Sequence, residues 1–469
     1  MKFFPDKNEA GNLMAKIKSM EVGPYSQQRA KEGLPMQKLT KGRIINTIYH
    51  EKINVTILEL SNGARVVLKP TLFKQDDILF QAYSPGGLSL LDPELAPLTL
   101  LADPIFKHSG LGPLTKLALY MKLKSKKVWA GIYVDTYEEG IRGSFSPVNL
   151  ELFFKLISLG FSQPRIEKKA FEDQKKKYAQ KMQIMQDTAT WKFIQKIAQT
   201  AWPKNDYSEA ITAESIQKLD YASCKKGLRS RFLNAGDFTF QFVGNFKMHE
   251  ILPLIEKYLT ELPADKLKEQ VKDLNCKPLP GKFSFSLNEN IENKSNILIQ
   301  LNHYHTITEK KSIEFSALKT ILNMKIIEEL REKQGLIYSG HASYRFYSLN
   351  PSAFSQITFH FTCASENVEK VISGLETILK DLRDTSLSEE KITQIKEIQL
   401  NQSREARQDN RWWSQSMKSL VMLNQDLNDL MEYKNYINEL TPAILQNHAK
   451  KYLDETNMLI AVLNPNQGE

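Results

Sequence analysis

The sequence is poor in cysteine and contains no long apolar run. Its 469 residues include three widely spaced cysteines, Cys224, Cys276 and Cys363. They form neither a disulfide framework nor a metal-binding spacing, so we expect three free thiols. No stretch approaches the roughly 18 consecutive apolar residues typical of a transmembrane helix, and we predict no transmembrane segment. Residues 1–20 are charged and lack the apolar centre of a secretory signal.

Acidic residues are outnumbered by basic ones, and the formal net charge is +9. Such a balance can favour nucleic acid or an anionic membrane surface. Lysines cluster at 122–127 and at 175–177. Neither cluster is interleaved with aromatic residues or belongs to a nucleic-acid-binding motif, and the second lies in a helical pattern that is typical of a solvated face. We therefore predict that the chain does not bind nucleic acid.

Two similar patterns of strands and helices follow each other along the chain. The strand Gly140–Phe145 is followed by an apolar helix, a break and a charged helix, and Gln356–Thr362 is followed by the same series. Phe238–Gly244 and Met458–Leu463 are each a late strand after several helices. A repeat of this length indicates two homologous domains, and strands grouped with helix clusters indicate an α+β fold.

These patterns predict the following domain organisation. Each domain should be a mostly antiparallel mixed sheet packed against a helix cluster. The predicted segments are a leader or connector at 1–42, a domain at 43–270, a Pro-rich linker at 271–282 and a second domain at 283–469. Asn62-Gly63 lies between two alternating apolar runs and predicts a β-hairpin near the start of the first domain.

The segment Leu330–Ser339 resembles the last turn of an amphipathic helix that runs into a strand. Arg331 lies in the predicted helix end and Tyr338 in the predicted strand start. Both side chains donate hydrogen bonds and could hold a peptide carbonyl or the oxyanion that develops from it. The alternative is that Arg331 offsets the negative end of the helix dipole and that Tyr338 packs at the strand start.

Three further features have simpler interpretations. Pro85-Gly86-Gly87 could be a phosphate-binding loop, but no Lys-Ser/Thr follows it, and we interpret it as a turn. Glu138 and Glu139 are neighbours in a predicted strand, so their side chains should face opposite sides of the sheet. We interpret Trp412-Trp413 as a packing anchor rather than a ligand cage.

Two groups of residues resemble the pitrilysin/insulinase-type zinc peptidases. Leu60–Thr71 and Tyr83–Ser89 are similar to the third domain of the bacterial enzymes, and Leu330–Tyr338 is similar to the fourth. The resemblance covers about 43–464. It implies two bowl-shaped halves around a chamber, with zinc and its H-x-x-E-H motif in the N-terminal half. It further implies that the C-terminal half holds the substrate peptide through Arg331 and Tyr338, and it favours a periplasmic or cell-envelope location.

None of the eight histidines of this chain lies in an H-x-x-E-H motif. His303 and His305 could share one face of a strand, but no carboxylate motif supports a metal site there. We therefore predict no metal ligand and no catalytic residue within this chain, zinc in a partner or N-terminal half, and no peptidase activity of the chain alone. The alternative function is a two-domain scaffold or partner subunit that has lost proteolysis.

Overall fold

The computed structural model describes most of the chain, namely residues 7–19, 42–207, 211–265, 268–304 and 308–466. Lys38–Glu469 forms one compact unit and Met1–Gln37 another. The smaller unit contains helix α1 (Lys7–Lys18), which the sequence analysis does not predict. Much of the predicted 1–42 connector lies outside the described residues. Within the described part, no helix combines the length and the apolar character needed to cross a membrane.

The first half of the compact unit is built around a seven-stranded sheet. Its strands are β1 (Ile44–His50), β2 (Val55–Leu60), β3 (Arg65–Pro70), β4 (Ile78–Pro85), β5 (Val128–Val134), β6 (Glu138–Phe145) and β7 (Thr239–Gly244). Its helices are α2 (Leu98–Ser109), α3 (Lys116–Leu123), α4 (Leu150–Ser162), α5 (Lys168–Gln186), α6 (Ala189–Ala201), α7 (Ala213–Lys218), α8 (Tyr221–Phe232) and α9 (Met248–Tyr258). Strands β2 and β3 form the hairpin predicted from Asn62-Gly63, and Gly63 has a φ of +90°.

The second half is built around a five-stranded sheet. Its strands are β8 (Lys282–Asn290), β9 (Ser295–Tyr304), β10 (Ile337–Tyr347), β11 (Phe354–Cys363) and β12 (Met458–Pro465). Its helices are α10 (Glu309–Lys325), α11 (Val368–Asp384), α12 (Glu389–Ala406), α13 (Asn410–Met422), α14 (Tyr433–Asn438) and α15 (Pro442–Tyr452).

The two sheets share one strand order. The first runs β1-β2-β3-β7-β4-β6-β5 and the second, read from its β8 edge, runs β8-β12-β9-β11-β10. Strands β3, β4, β5, β6 and β7 of the first sheet thus correspond, in this order, to β8, β9, β10, β11 and β12 of the second. The first sheet carries the extra β1-β2 ribbon at its edge. Each sheet contains one parallel pair, β3 with β7 and β8 with β12, and the other pairs are antiparallel. The predicted α+β fold class is confirmed, while the domain boundaries at 271–282 remain a prediction.

Each sheet buries one face against the helices of its own half. In the first half this core is rich in aromatic side chains, and Phe145 stacks on Phe153 with ring centroids 4.1 Å apart. In the second half the core lies between the sheet and α10, α11 and α15, with Phe315 and Tyr452 at 4.5 Å. Burial of these apolar surfaces is the main favourable term in the folding of each half.

The opposite face of each sheet is covered by a helix from the other half. Trp413 and Met417 of α13 pack on Val67 and Tyr83 of the first sheet. Phe193 and Ile197 of α6 pack on the outer face of the second sheet. Trp413 is therefore a packing anchor, as interpreted from the sequence, and its indole N–H donates to the carbonyl of Arg407 at 2.8 Å. This reciprocal packing joins the two sheets into one unit.

Gly86 and Gly87 form a tight turn next to a buried carboxylate, which confirms the turn interpretation. Gly87 has a φ of +61°, and a Cβ there would lie 2.1 Å from the carbonyl oxygen of Asp135. Its N–H donates to Glu139, which is 1% exposed. Arg231 lies 3.9 Å from Glu139 and forms two hydrogen bonds with Glu269. Because Glu138 pairs with Lys418 instead, the adjacent glutamates face opposite sides of the sheet, as predicted.

Stability should fall with rising pH because of Glu139. Burial raises the pKa of its carboxyl from 4.5 to about 8, although Arg231 and the Gly87 N–H oppose the shift. The folded state therefore binds the proton more tightly than the unfolded chain, and its stability decreases between about pH 4.5 and 8. Across this range the parent should lose stability on the order of 5 kcal/mol through this carboxyl, and Glu139→Gln should abolish that loss, measured by urea unfolding at several pH values. Equal pH slopes for parent and variant would contradict the assignment.

Candidate functional site

Arg331 lies in an irregular stretch at the end of a long helix. Helix α10 continues from Ile326 to Lys333 as a π-helix, a rare conformation that occurs often at functional sites. Leu330 is fully buried in this segment, and it packs over Gly374 of α11, where a Cβ would come within 2.6 Å of Leu330 Cδ2. Arg331, the next residue, is exposed. The buried leucine therefore anchors the turn that presents the arginine.

The helix ends at a glycine. Gly335 has a φ of +60°, in the left-handed region that favours glycine at helix ends. Its N–H donates to the carbonyl of Arg331 at 3.1 Å, and the N–H of Leu336 donates to the carbonyl of Leu330 at 2.8 Å. These bonds supply donors to carbonyl groups that have no hydrogen-bond partner within the helix at its C-terminal end. The chain then enters β10, so the predicted helix-to-strand transition is confirmed.

Tyr338 occupies a β-bulge at the start of β10. Ile337 pairs with Cys363 and Ser339 with Thr362, so Tyr338 is an extra residue with no opposite partner in β11. Bulges redirect a side chain away from the regular alternation of a strand, and they are common next to active sites. The Tyr338 side chain is 60% exposed. Within the described residues, neither its hydroxyl nor the Arg331 guanidinium makes a hydrogen bond or an ion pair.

An asparagine holds the helix and the strand in register. The side-chain amide of Asn323 in α10 donates to the carbonyl of Ala342 at 3.1 Å, and its oxygen accepts from the Ala342 N–H at 2.7 Å. Strand β10 is an edge strand of its sheet. These two bonds satisfy the backbone N–H and carbonyl of Ala342 on the side of β10 that has no neighbouring strand. The structure thus places Arg331 and Tyr338 on two adjoining elements with fixed register, separated in sequence by Glu332–Ile337.

Beyond Tyr338, the outer face of β10 and β11 is polar. Ser339, His341, Ser343 and Arg345 alternate along β10 with residues that face the core. The rings of His341 and His360 stack at 5.1 Å across the two strands. Burial and the neighbouring His341 lower the pKa of His360. A face of this kind can form hydrogen bonds with an extended peptide, and sequence analysis missed it because the paired residues are distant in sequence.

The described residues contain no group of three or more His, Cys, Asp or Glu side chains arranged to hold a metal ion. His303 packs edge-on against Tyr452 at 5.5 Å, and His305 lies outside the described residues. All three cysteines are free, as predicted. Burial raises the pKa of the Cys224 thiol to about 12 and that of Cys363 to about 11, which makes both poor nucleophiles at neutral pH.

Comparison with known proteins places this site within a family model. Residues 226–399, which include Arg331 and Tyr338, match the model described as the Peptidase M16 inactive domain. A zinc protease PQQL-like protein of Arabidopsis thaliana is 25% identical over 424 residues, which cover 86% of this chain and 41% of that protein. A probable zinc protease PqqL of Haemophilus influenzae is 22% identical over 378 residues, 80% of this chain and 40% of that protein.

The fold matches a solved structure as well. The crystal structure of the periplasmic protease PqqL from Escherichia coli superposes with a TM-score of 0.80 at 18% identity, over 98% of this chain and 51% of that chain. The chain thus spans about two-fifths of the length of the curated relatives and about half of the solved protein. The resemblance seen in the sequence is confirmed: residues 226–399 match the inactive domain of the M16 peptidases, and most of the chain is similar to proteins described as zinc proteases.

Proposed function

We propose that this chain is the half of a zinc metallopeptidase that does not carry the metal, and that it closes over a catalytic half. In this proposal Arg331 and Tyr338 hold the peptide substrate. The catalytic half bears H-x-x-E-H in the same polypeptide or in a separate subunit, and its zinc supplies the Lewis acid for hydrolysis. The chain alone cleaves no peptide.

One observation carries the proposal. Two side chains that could bind a peptide carbonyl are exposed at two adjoining backbone irregularities, a π-helix and a β-bulge. Irregularities of this kind weaken regular hydrogen bonding and are retained where they direct a side chain. A helix-end arginine that only offset the dipole would need neither feature.

The polar face of β10 and β11 supports a peptide as the ligand. Hydrogen-bonding side chains line this face next to Tyr338, and those of Ser339, His341 and Arg345 are exposed. Farther into the sheet the amides are buried and bond each other, with Gln356 donating to Asn302 at 2.9 Å, so the exposed part of this face lies along the β10 edge. An extended peptide presents one carbonyl and one N–H per residue to such a surface.

A periplasmic or cell-envelope location is part of the proposal. It is supported by the description of the Escherichia coli structure as a periplasmic protease. The alternative, a scaffold that only binds partners, predicts that the Arg331 and Tyr338 side chains have no effect on any cleavage reaction, and the next experiment separates the two functions.

Arg331→Ala should weaken both substrate binding and turnover of the assembled peptidase. Loss of a charged hydrogen-bond donor at a desolvated carbonyl typically removes about 1.5–3 kcal/mol, or about 10- to 100-fold in kcat/KM. The measurement is steady-state cleavage of a peptide by the enzyme assembled from both halves, with assembly checked by size-exclusion chromatography.

Lys333→Ala is the matched control. Lys333 has the same charge, lies in the same π-helical segment and pairs only with Glu328 and Glu329 of its own helix among the described residues. We expect its kcat/KM to stay within about twofold of the parent, because exposed pairs of this type contribute little. If Arg331→Ala behaves like Lys333→Ala, Arg331 only caps its helix and the scaffold function is favoured.

A further inference from the structure

A separate surface lies at the far edge of the first sheet, in the segment 104–134. This segment contains six lysines, at positions 107, 116, 122, 124, 126 and 127, and no aspartate or glutamate. Lys116, Lys124, Lys126 and Lys127 are exposed. Two of the six lysines pair with carboxylates outside the segment: Lys107 with Asp103 at 2.6 Å, and Lys127 with Asp76 at 3.3 Å, where both side chains are about three-quarters exposed. The surface therefore keeps a strong positive charge.

Helix α3, at the centre of this surface, is apolar on both sides. Leu119 and Leu123 face inward and line a cavity of about 200 Å³ together with Phe106 and Phe232. Leu117, Tyr120 and Met121 share the outward side and are 55%, 61% and 48% exposed. A helix on the surface of a globular protein normally presents polar residues to water. The outward side of α3 thus has the composition of a covered face.

An exposed tryptophan extends this face onto the sheet. Trp129 is 51% exposed on β5, an edge strand, and its indole N–H donates to Ser144 at 2.7 Å. Apolar side chains flanked by lysines, with an aromatic residue at the border, are the pattern of helices that lie in the boundary between lipid headgroups and acyl chains.

We propose that α3 and the adjoining lysines dock the protein on an anionic lipid bilayer. Leu117, Tyr120 and Met121 enter the headgroup boundary, and the lysines contact lipid phosphates. Charge decides against a second copy of this chain as the occupant, because two surfaces with six lysines each would repel. The proposal is independent of the peptidase function, since α3 belongs to the first sheet and Arg331 to the second half.

The test is co-sedimentation of the full chain with vesicles of phosphatidylcholine, with and without phosphatidylglycerol, at low and high salt. We expect binding only to the phosphatidylglycerol vesicles and a marked loss at high salt. The variant K116Q/K124Q/K126Q should bind about 100-fold more weakly, since each lysine near an anionic surface contributes about fivefold. L117S/Y120S/M121S should also lose binding.

K169Q/K176Q/K177Q is the matched control, because it removes three exposed lysines from α5, where Ile184 is the single large exposed apolar residue and no outward apolar side like that of α3 is formed. It should bind the vesicles within about threefold of the parent. Equal losses in the two lysine variants, or equal binding to both vesicle types, would overturn the proposal. The proposal would also be overturned if the parent did not bind vesicles while L117S/Y120S/M121S changed the oligomeric state or the association with a catalytic half. In that case the outward side of α3 would be a protein interface.

Discussion

Tyr338→Phe should lower the turnover of the assembled peptidase about 100- to 1,000-fold. The change removes one hydroxyl and keeps the aromatic ring, so the exposed bulge of β10 retains its shape. In our proposal this hydroxyl donates to the oxyanion that develops on the scissile carbonyl or to an adjacent carbonyl. A donor used mainly in the transition state lowers kcat when it is lost, with a smaller change in KM.

The expected size of this effect depends on closure of the two halves. Tyr338 is 60% exposed in this chain, and a hydroxyl in water contributes little to catalysis. Closure over the catalytic half would exclude water and strengthen the hydrogen bond. The measurement is therefore single-turnover cleavage by the assembled enzyme, with zinc content and association of the halves determined on the same samples.

Tyr120→Phe is the matched control for this variant. Tyr120 is 61% exposed, almost the same as Tyr338, and lies on α3 in the other half of the chain. Its turnover should equal that of the parent enzyme. If Tyr338→Phe cleaves the peptide at the parent rate, the tyrosine only packs at the strand start and the proposed role is wrong.

The fold was largely predictable because the alternation of each strand and the periodicity of each helix lie within short segments of the sequence, and the same series of segments occurs twice. The strand Gly140–Phe145 and its counterpart Gln356–Thr362 carry the alternation and the following helices that place them in equivalent β6 and β11. Helix ends were less predictable. Residues 213–232, for example, form the two helices α7 and α8 rather than one, because Leu219 leaves the helical region and Asp220 caps a new helix through the Ser223 N–H.

The candidate site was predictable in its residues but not in its geometry. Arg331 and Tyr338 follow from the motif, whereas the π-helix depends on Leu330 packing over Gly374, and the bulge depends on the register of β10 against β11. The His341–His360 pair depends on the same register. Contacts between residues distant in sequence decide these features, and no single segment contains the information.

The reciprocal packing of α6 and α13 was likewise not predicted. Both helices have an apolar side, which sequence reveals, but the surface that covers it belongs to the other half. In α13 the contact also contains a buried ion pair. Lys418 Nζ donates to Glu138 Oε1 at 2.6 Å and to the Tyr133 hydroxyl at 3.1 Å. Burial lowers the pKa of Lys418, and Glu138 opposes this shift.

Lys418→Met should destabilise the folded chain by about 3–5 kcal/mol. The Lys418 and Glu138 side chains are 11% and 8% exposed, so the variant leaves a carboxylate buried without its cation. Because this pair joins α13 to β6 of the first sheet, the loss should also weaken the coupling between the halves. We expect urea unfolding to shift to a lower midpoint and to separate into two transitions, monitored by circular dichroism and tryptophan fluorescence.

Two further variants define what the ion pair contributes. The double variant Glu138→Leu/Lys418→Met should recover most of the lost stability, since replacing both partners by apolar residues removes the buried charge. Lys107→Met breaks another pair of 2.6 Å, that of Lys107 with Asp103, whose side chains are 53% and 32% exposed. That change should cost less than about 1 kcal/mol. A loss in Lys418→Met no larger than in Lys107→Met would mean that water reaches the Lys418 site and that the ion pair adds little to the apolar packing of α6 and α13 between the halves.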